Sequence, residues 1–180
     1  MSEVTYFDKT FEMYIPSWEI QNHVMRLASE INRDYGRSEE DVVLISILDG
    51  SFIFMADLIR YLDFDHHVQF VKLTSYKDMT STGVVDFVLD VQVDLRGKHV
   101  LIVEDIVDTG LTIESFMEQL QFREPASIRI CTLLSKPDEH NDIVPLDYVG
   151  VDIPPEFVIG YGLDLNGYGR QLRDIYKLKV

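Results

Sequence analysis

The fold is decided by residues 100–112, which read Val-Leu-Ile-Val-Glu-Asp-Ile-Val-Asp-Thr-Gly-Leu-Thr. The apolar run that begins this stretch predicts a strand covered on both faces, as the strands of parallel sheets are. A turn follows at Asp108 and Thr109, and the apolar spacing beyond it predicts a helix from about Gly110 to Phe122. A buried strand, a tight turn and a helix form one unit of an α/β fold.

Similar units lie on both sides of this one. Apolar positions three and four residues apart predict helices over residues 17–35 and 51–62. Short apolar or alternating runs predict strands at residues 42–48, 67–73, 84–93, 99–103 and 127–134. We therefore expect a central, mostly parallel sheet flanked by helices and joined by right-handed crossovers.

The C-terminal part of the chain has a different pattern. Short strands are predicted among loops at residues 148–152, 156–160 and 174–178. No linker or internal repeat divides the chain, so we expect a single domain over residues 1–180. Its core is expected at about 15–136, and a small hood is expected from about 137–180 together with the N-terminal residues.

The charge of the chain limits its partners. Sixteen Lys and Arg residues stand against 31 Asp and Glu residues, which gives a net charge of −15 at pH 7. A field of this sign repels nucleic acid and anionic lipid, so neither is an expected partner. A polyanionic ligand would need locally placed cations or a divalent metal ion.

The single cysteine and the N-terminus point to an intracellular protein. Because the chain has one cysteine, an internal disulfide framework and a Cys-rich zinc site are excluded. Cys131 lies in an apolar run and is expected to be a buried, inert thiol. The first residues carry no secretory signal, and no apolar run approaches the ~18 residues of a membrane span. A cytoplasmic protein without a membrane partner is expected.

The chemistry is expected where the strand of residues 100–107 ends, because open parallel sheets bind ligands at the carboxyl ends of their strands. A helix N-terminus formed by Thr109, Gly110 and Thr112 suits a phosphate group. Glu104 and Asp105 point to opposite sides if the strand continues through them, so that one can accept hydrogen bonds from a sugar diol while the other orients a hydrated metal ion.

A structural interpretation of the same residues competes with this one. Asp108 and Thr109 are good helix caps, and the carboxylates could simply be solvated. Three acids within residues 104–108 favour a ligand site, because carboxylates at the mouth of a buried strand are costly to desolvate without a partner. Other phosphate motifs are absent: the chain has no P-loop, no dinucleotide-binding fingerprint and no Asp-x-Asp-x-Thr sequence.

Residues 103–112 closely resemble the phosphoribosyl-pyrophosphate (PRPP) motif of type I phosphoribosyltransferases, and the Asp108-Thr109-Gly110 ending resembles the 6-oxopurine branch of that family. More of the chain resembles the hypoxanthine-guanine phosphoribosyltransferases. Four more segments, in family order, are similar to its pyrophosphate loop, the start of its mobile loop, its purine-reading lysine strand and its base clamp: residues 48–52, 75–76, 133–136 and 157–170. The resemblance implies the type I phosphoribosyltransferase fold. It also implies a purine salvage enzyme that uses Mg²⁺ and PRPP to convert hypoxanthine or guanine to IMP or GMP.

The resemblance also implies a role for each matching residue. Asp108 would take the N7 proton of the purine as the catalytic base. The residues that would bind PRPP are Glu104, Asp105, Ile106, Val107, Asp108, Thr109, Gly110, Leu111 and Thr112. Pyrophosphate would be bound by Asp49, Gly50, Ser51 and Arg170, and the purine by Lys136, Phe157, Val158 and Asp164. Glu104, Asp105 and Asp164 would serve Mg²⁺, and Ser75 and Tyr76 would close over the site.

Some of these residues have a plain alternative. From the sequence alone, Lys136 is an exposed residue at a strand end, and Phe157 and Val158 are ordinary strand core. Polar residues 74–83 fit a hairpin loop as well as a mobile lid.

The chain departs from the family at the pyrophosphate loop. Asp49 stands where a basic residue is common, and because an acid would repel pyrophosphate it is expected to point away, with a subunit contact as one possible partner. The preceding peptide is cis in some members, and the sequence does not decide this for Leu48–Asp49. The residues after Lys136 also lack a basic residue often found there.

Three other functions compete with this one. A PRPP-sensing regulator that binds RNA or DNA would need a basic face, which the net charge of −15 opposes. A xanthine-preferring phosphoribosyltransferase shares the Asp-Thr-Gly ending, but the extended match from Phe157 to Arg170 favours the hypoxanthine-guanine type. An inactive scaffold would have no reason to keep Asp108, Lys136, Asp164 and Arg170 together. The resemblance implies a homodimer or homotetramer. The preference between hypoxanthine and guanine stays open.

Overall fold

A six-stranded sheet forms the centre of the computed structural model, which describes residues 3–74, 86–140 and 143–179. The strand order is β5-β4-β3-β6-β7-β8, and all neighbours are parallel except β4 and β5. The strands of this sheet are β3 (Val42–Leu48), β4 (His67–Thr74), β5 (Asp86–Leu89), β6 (His99–Val107), β7 (Ser127–Ser135) and β8 (Tyr148–Asp152). The predicted α/β class with a mostly parallel sheet is confirmed.

Helices cover both faces of this sheet, as its largely apolar central strands require. They are α1 (Ser17–Tyr35), α2 (Phe52–Leu58), α3 (Leu111–Gln121) and the short α4 (Pro137–His140). One core packs α1 and α2 against residues such as Leu44 and Leu101, and the other packs α3 against residues such as Ile45 and Ile102. Cys131 is fully buried in the first core, as predicted. None of the described helices is both long and apolar enough to cross a membrane.

A second, four-stranded antiparallel sheet forms a hood. Its strand order is β1-β2-β10-β9, and its strands are β1 (Glu3–Tyr6), β2 (Lys9–Ile15), β9 (Val158–Ile159) and β10 (Ile175–Leu178). Half of its strands come from an N-terminal hairpin for which the sequence predicted no strands. The hairpin turn uses Phe7 at a φ of 57° rather than a glycine, so the usual turn signal is missing. Phe11 of this sheet is completely buried in a small core with Ile159 and Tyr176.

Several boundaries differ from those predicted, and one difference affects the site. Strand β6 continues to Val107 instead of ending at Val103, because pairing with β7 extends to Ser135. This extension carries Glu104 and Asp105 into the buried sheet. At the start of α1 the residue before the helix is Pro16, and Ser17 donates its backbone N–H to Asp174 Oδ1 at 2.7 Å rather than capping the helix.

Candidate active site

The loop between β6 and α3 forms a cradle that suits a phosphate group. Gly110 precedes α3 with a φ of 78°, a left-handed conformation that favours glycine. No side chain in the described part of the chain caps α3, so its first-turn amides are available to an anionic ligand. Asp108 and Thr109 therefore do not act as caps. The pocket here is lined by Glu104, Ile106, Val107, Asp108, Thr109, Gly110, Thr112 and Ile113.

Lys136 and Asp108 meet beside this cradle. Lys136 Nζ lies 3.1 Å from Asp108 Oδ2, and the two strand ends are joined by the bond from Lys136 N–H to the Val107 carbonyl at 3.0 Å. Lys136 is only 9% exposed, so the interpretation of it as an exposed strand-end residue is wrong. The Asp108 side chain is 56% exposed. One end of the pair is fixed by packing and the other faces solvent.

Two acids lie at the end of β6 behind the cradle: Asp105 is buried, and Glu104 is partly exposed but has its Oε2 atom buried. Burial raises the pKa of Asp105 to about 6, although its own backbone N–H and that of Ile106, which donates to Oδ1 at 2.9 Å, oppose the shift. Burial, with a further contribution from the Asp105 charge, raises the pKa of Glu104 well above its ordinary value. Among the described residues, the buried Glu104 Oε2 has no hydrogen-bond partner. A buried oxygen of this kind can serve a bound cation or a hydrogen-bond donor.

The loop between β3 and α2 packs directly onto these acids. The Leu48–Asp49 peptide is cis, which answers the question that the sequence left open. A Cβ on Gly50 would lie 1.7 Å from Asp105 Oδ2, so only glycine fits there. The Ser51 hydroxyl is buried, lies 2.6 Å from Ser46 Oγ and donates to the Ile47 carbonyl. Because this hydroxyl is occupied, only backbone amides of Gly50 and Ser51 can serve a ligand.

Asp49 finds its partner in the neighbouring strand. Lys72 Nζ lies 2.7 Å from Asp49 Oδ2 and 3.0 Å from Oδ1, and Lys72 is paired with Leu48 across β3 and β4. The ion pair neutralises the acid at this loop and brings a cation to it. Sequence analysis missed Lys72. Its signal was its position at a strand end beside the strand that precedes Asp49.

The C-terminal segment contributes a charged pair and an aromatic ring. Arg170 donates to the Gly162 carbonyl at 2.6 Å and pairs with Asp164 Oδ1 at 2.8 Å. The charge of Arg170 lowers the pKa of Asp105, and the charge of Asp164 raises it. Phe157 is 44% exposed while Val158 is buried. Ser75 and Tyr76 lie outside the described residues.

Comparison with known proteins identifies the family. Residues 17–166 match the model of the phosphoribosyl transferase domain. The chain belongs to the phosphoribosyltransferase family. Family relatives include the hypoxanthine phosphoribosyltransferase of Escherichia coli K12, which is 44% identical over 94% of this chain and 96% of that protein. The hypoxanthine-guanine phosphoribosyltransferase of Aquifex aeolicus is 37% identical over 95% of this chain and 96% of that protein.

Solved structures of family members have the same architecture. A hypoxanthine phosphoribosyltransferase from Staphylococcus aureus superposes with a TM-score of 0.87 at 40% identity, covering 93% of this chain and 91% of that one. A hypoxanthine-guanine phosphoribosyltransferase from Bacillus anthracis superposes with a TM-score of 0.86 at 36% identity, covering 94% and 97%. The expectation of a phosphoribosyltransferase fold is thus confirmed.

Proposed function

We propose that the chain is a purine salvage enzyme that transfers the 5-phosphoribosyl group of PRPP to N9 of hypoxanthine or guanine, forming IMP or GMP and pyrophosphate. The observation that carries the proposal is the Asp108–Lys136 pair, with 3.1 Å between Oδ2 and Nζ. A 6-oxopurine presents N7 and O6 side by side on one edge. The carboxylate can accept a proton from N7 while the ammonium donates to O6. An amino group at position 6 would have no acceptor for Lys136, which disfavours adenine.

Asp108 is the general base of this proposal. As N9 of the base forms a bond to C1′ of PRPP, the bond from C1′ to the pyrophosphate oxygen breaks and the N7 proton passes to the carboxylate. The exposed Asp108 side chain can reach a bound base, and its contact with the buried Lys136 orients it. Phe157, with a ring that is nearly half exposed, would stack on the purine, and the backbone of Val158 would meet its edge.

The leaving pyrophosphate would be held between the β3–α2 loop and the C-terminal segment. The backbone amides of Gly50 and Ser51 supply donors on one side. The Arg170 guanidinium keeps donors beyond its two contacts and can bind two phosphate oxygens at once. Negative charge that develops on the leaving group would therefore meet donors already in place.

The acids at the end of β6 fit Mg²⁺. Glu104 and Asp105 offer only oxygen ligands, and the buried Glu104 Oε2, which has no partner among the described residues, is a ready ligand atom. No cluster of three or more His, Cys, Asp or Glu side chains that could hold a metal ion occurs among residues 3–74, 86–140 and 143–179. This favours Mg²⁺ carried in with PRPP and completed by water, with Asp164 serving a second ion. When bound, Mg²⁺ would neutralise the charge of the pyrophosphate.

Ionised Asp105 is expected to destabilise the protein without ligands. Its pKa is raised to about 6 by burial, so the folded state holds the proton more tightly than the unfolded state, and stability falls as pH rises from about 4 to about 6. We expect Asp105→Asn to raise the Tm at pH 7. The gain in the free energy of unfolding should be at most about 3 kcal/mol. The same variant should lose most of the stabilisation by PRPP with Mg²⁺. Thermal melts at pH 4.5 and 7 test both effects, and an unchanged response to PRPP with Mg²⁺ would contradict the assignment.

A spectrophotometric assay with PRPP and Mg²⁺ tests the proposed function, run separately with hypoxanthine, guanine, xanthine and adenine. Turnover of hypoxanthine or guanine that stops when Mg²⁺ is removed would support the proposal. Xanthine as the best substrate would favour the neighbouring enzyme, and PRPP binding without turnover of any base would favour a regulator. We also propose a cytoplasmic, single-domain protein that forms a homodimer or homotetramer.

A further inference from the structure

Tyr161 joins the hood to the helix that follows the pyrophosphate loop. Its hydroxyl donates to Asp57 Oδ2 at 2.7 Å, and the same oxygen accepts from Gln21 Nε2 at 2.7 Å. Asp57 lies on α2, which begins directly after Ser51. Tyr161 is 5% exposed and has a φ of 50°, a conformation that costs a bulky residue free energy and persists only where its surroundings hold it.

The residue after Tyr161 touches the pyrophosphate loop through its backbone. A Cβ on Gly162 would lie 2.0 Å from the Gly50 carbonyl oxygen, and a Cβ on Gly50 would in turn lie 1.7 Å from Asp105 Oδ2. The hood segment, the loop and the buried acids are therefore stacked without a gap. The Gly162 carbonyl also accepts from Arg170 Nη1, and the Gly162 backbone N–H donates to the Arg170 carbonyl at 3.0 Å. The position of the Arg170 guanidinium thus depends on Gly162, the residue that follows Tyr161.

We infer that Tyr161 is a positioning residue for pyrophosphate. Its hydrogen bond to Asp57 fixes the separation between Arg170 on the hood and the amides of Gly50 and Ser51 on the loop. The hydroxyl is committed to Asp57, so Tyr161 acts through Arg170 and not by contact with the substrate. The inference rests on the proposed function. It predicts that loss of the Tyr161 hydroxyl weakens the binding of the pyrophosphate group and leaves the binding of the purine unchanged.

The variant Tyr161→Phe removes only the hydroxyl. We expect the KM values for PRPP and, in the reverse reaction, for pyrophosphate to rise by about tenfold, because small displacements of positioning groups are costly. The KM for hypoxanthine should stay within about twofold of the parent value, since none of the proposed purine contacts, those of Asp108, Lys136, Phe157 and Val158, involves the Tyr161 hydroxyl. Steady-state kinetics in both directions measure all three constants.

Tyr148→Phe is the matched control. Tyr148 is 4% exposed, belongs to the same core and donates to Asp34 Oδ2 at 2.7 Å, a bond of the same type that involves no proposed site residue. Both variants should lose thermal stability, but only Tyr161→Phe should raise the KM for PRPP. Equal kinetic constants for the two variants, or a rise in all KM values together, would overturn the inference.

Substitutions of Asp57, the partner of the Tyr161 hydroxyl, provide an independent test of the inference. Asp57→Asn keeps an oxygen that can accept from Tyr161, whereas Asp57→Ala does not, so the alanine variant should show the larger rise in the KM for PRPP. If Y161F fails to fold, this pair decides the question, and equal KM values for PRPP in D57N and D57A would reject the inference. Absence of turnover by the parent protein with every base would instead reject the proposed function.

Discussion

Asp108→Asn is expected to lower kcat with hypoxanthine by about 10² to 10⁴, the usual contribution of a general base. The amide oxygen can still accept from Lys136 Nζ, which lies 3.1 Å from Asp108 Oδ2, so the local geometry should persist. What the variant loses is the capacity to take the N7 proton. IMP carries no proton at N7 when it binds, so the affinity for IMP should stay within about threefold.

Single-turnover kinetics and equilibrium binding of IMP test this expectation. Asp138→Asn is a suitable control, because Asp138 is an exposed acid two residues after Lys136 and has no role in the proposed reaction. The control should match the parent protein in both measurements. A kcat for the Asp108 variant within about fivefold of the parent would remove Asp108 as the base, whatever happens to binding.

The parts of the fold that the sequence predicts best depend on local patterns. Residues 100–103 are an uninterrupted apolar run and residues 42–48 are interrupted only by Ser46, and both lie in central strands. The apolar spacing of α1 and α3 identified these helices to within one or two residues. In both cases burial dictates the pattern over a few consecutive residues, so a sequence window contains the necessary information.

The hood shows why the remainder of the fold was not predicted. Strand β2 is stabilised by pairing with β10, in which Phe11 lies opposite Leu178 at the other end of the chain. No local pattern reports a partner so distant, and the hairpin turn at Phe7 lacks glycine. The extent of β6 was missed for a similar reason, because its last four residues begin with the acids Glu104 and Asp105 and are held in the sheet by pairing with β7.

The candidate site divides in the same way. The cradle after β6 follows from one continuous segment, and its position was predicted from the order of strand, acids and small residues. The ion pairs Asp49–Lys72 and Asp108–Lys136 join residues 23 and 28 positions apart on neighbouring strands. Only the strand order makes them neighbours, so the burial of Lys136 and the neutralisation of Asp49 required the structure.

Lys136→Ala is expected to lower kcat/KM for hypoxanthine and guanine by about 10², since a hydrogen bond from a charged donor contributes up to about 3 kcal/mol. The loss should appear mainly in the KM of the base. The affinity for PRPP should be little changed, because the phosphate groups of PRPP would be bound by the backbone amides at the start of α3 and by Arg170, and not by Lys136. Selection against adenine should weaken as well, because the unpaired ammonium that disfavours its amino group is gone.

Lys98→Ala provides the matched control for this prediction. Lys98 also pairs with an aspartate, Asp41, at 2.8 Å, but it lies at the opposite end of β6 from the proposed site. Kinetics with hypoxanthine, guanine and adenine should therefore leave this control at parental values. If Lys136→Ala also kept the parental KM for oxopurines, Lys136 could not be the donor to O6. Its contact with Asp108 would then serve only to orient the Asp108 carboxylate. A selective loss of oxopurine affinity would instead assign both ends of the pair to the N7–O6 edge of one bound purine.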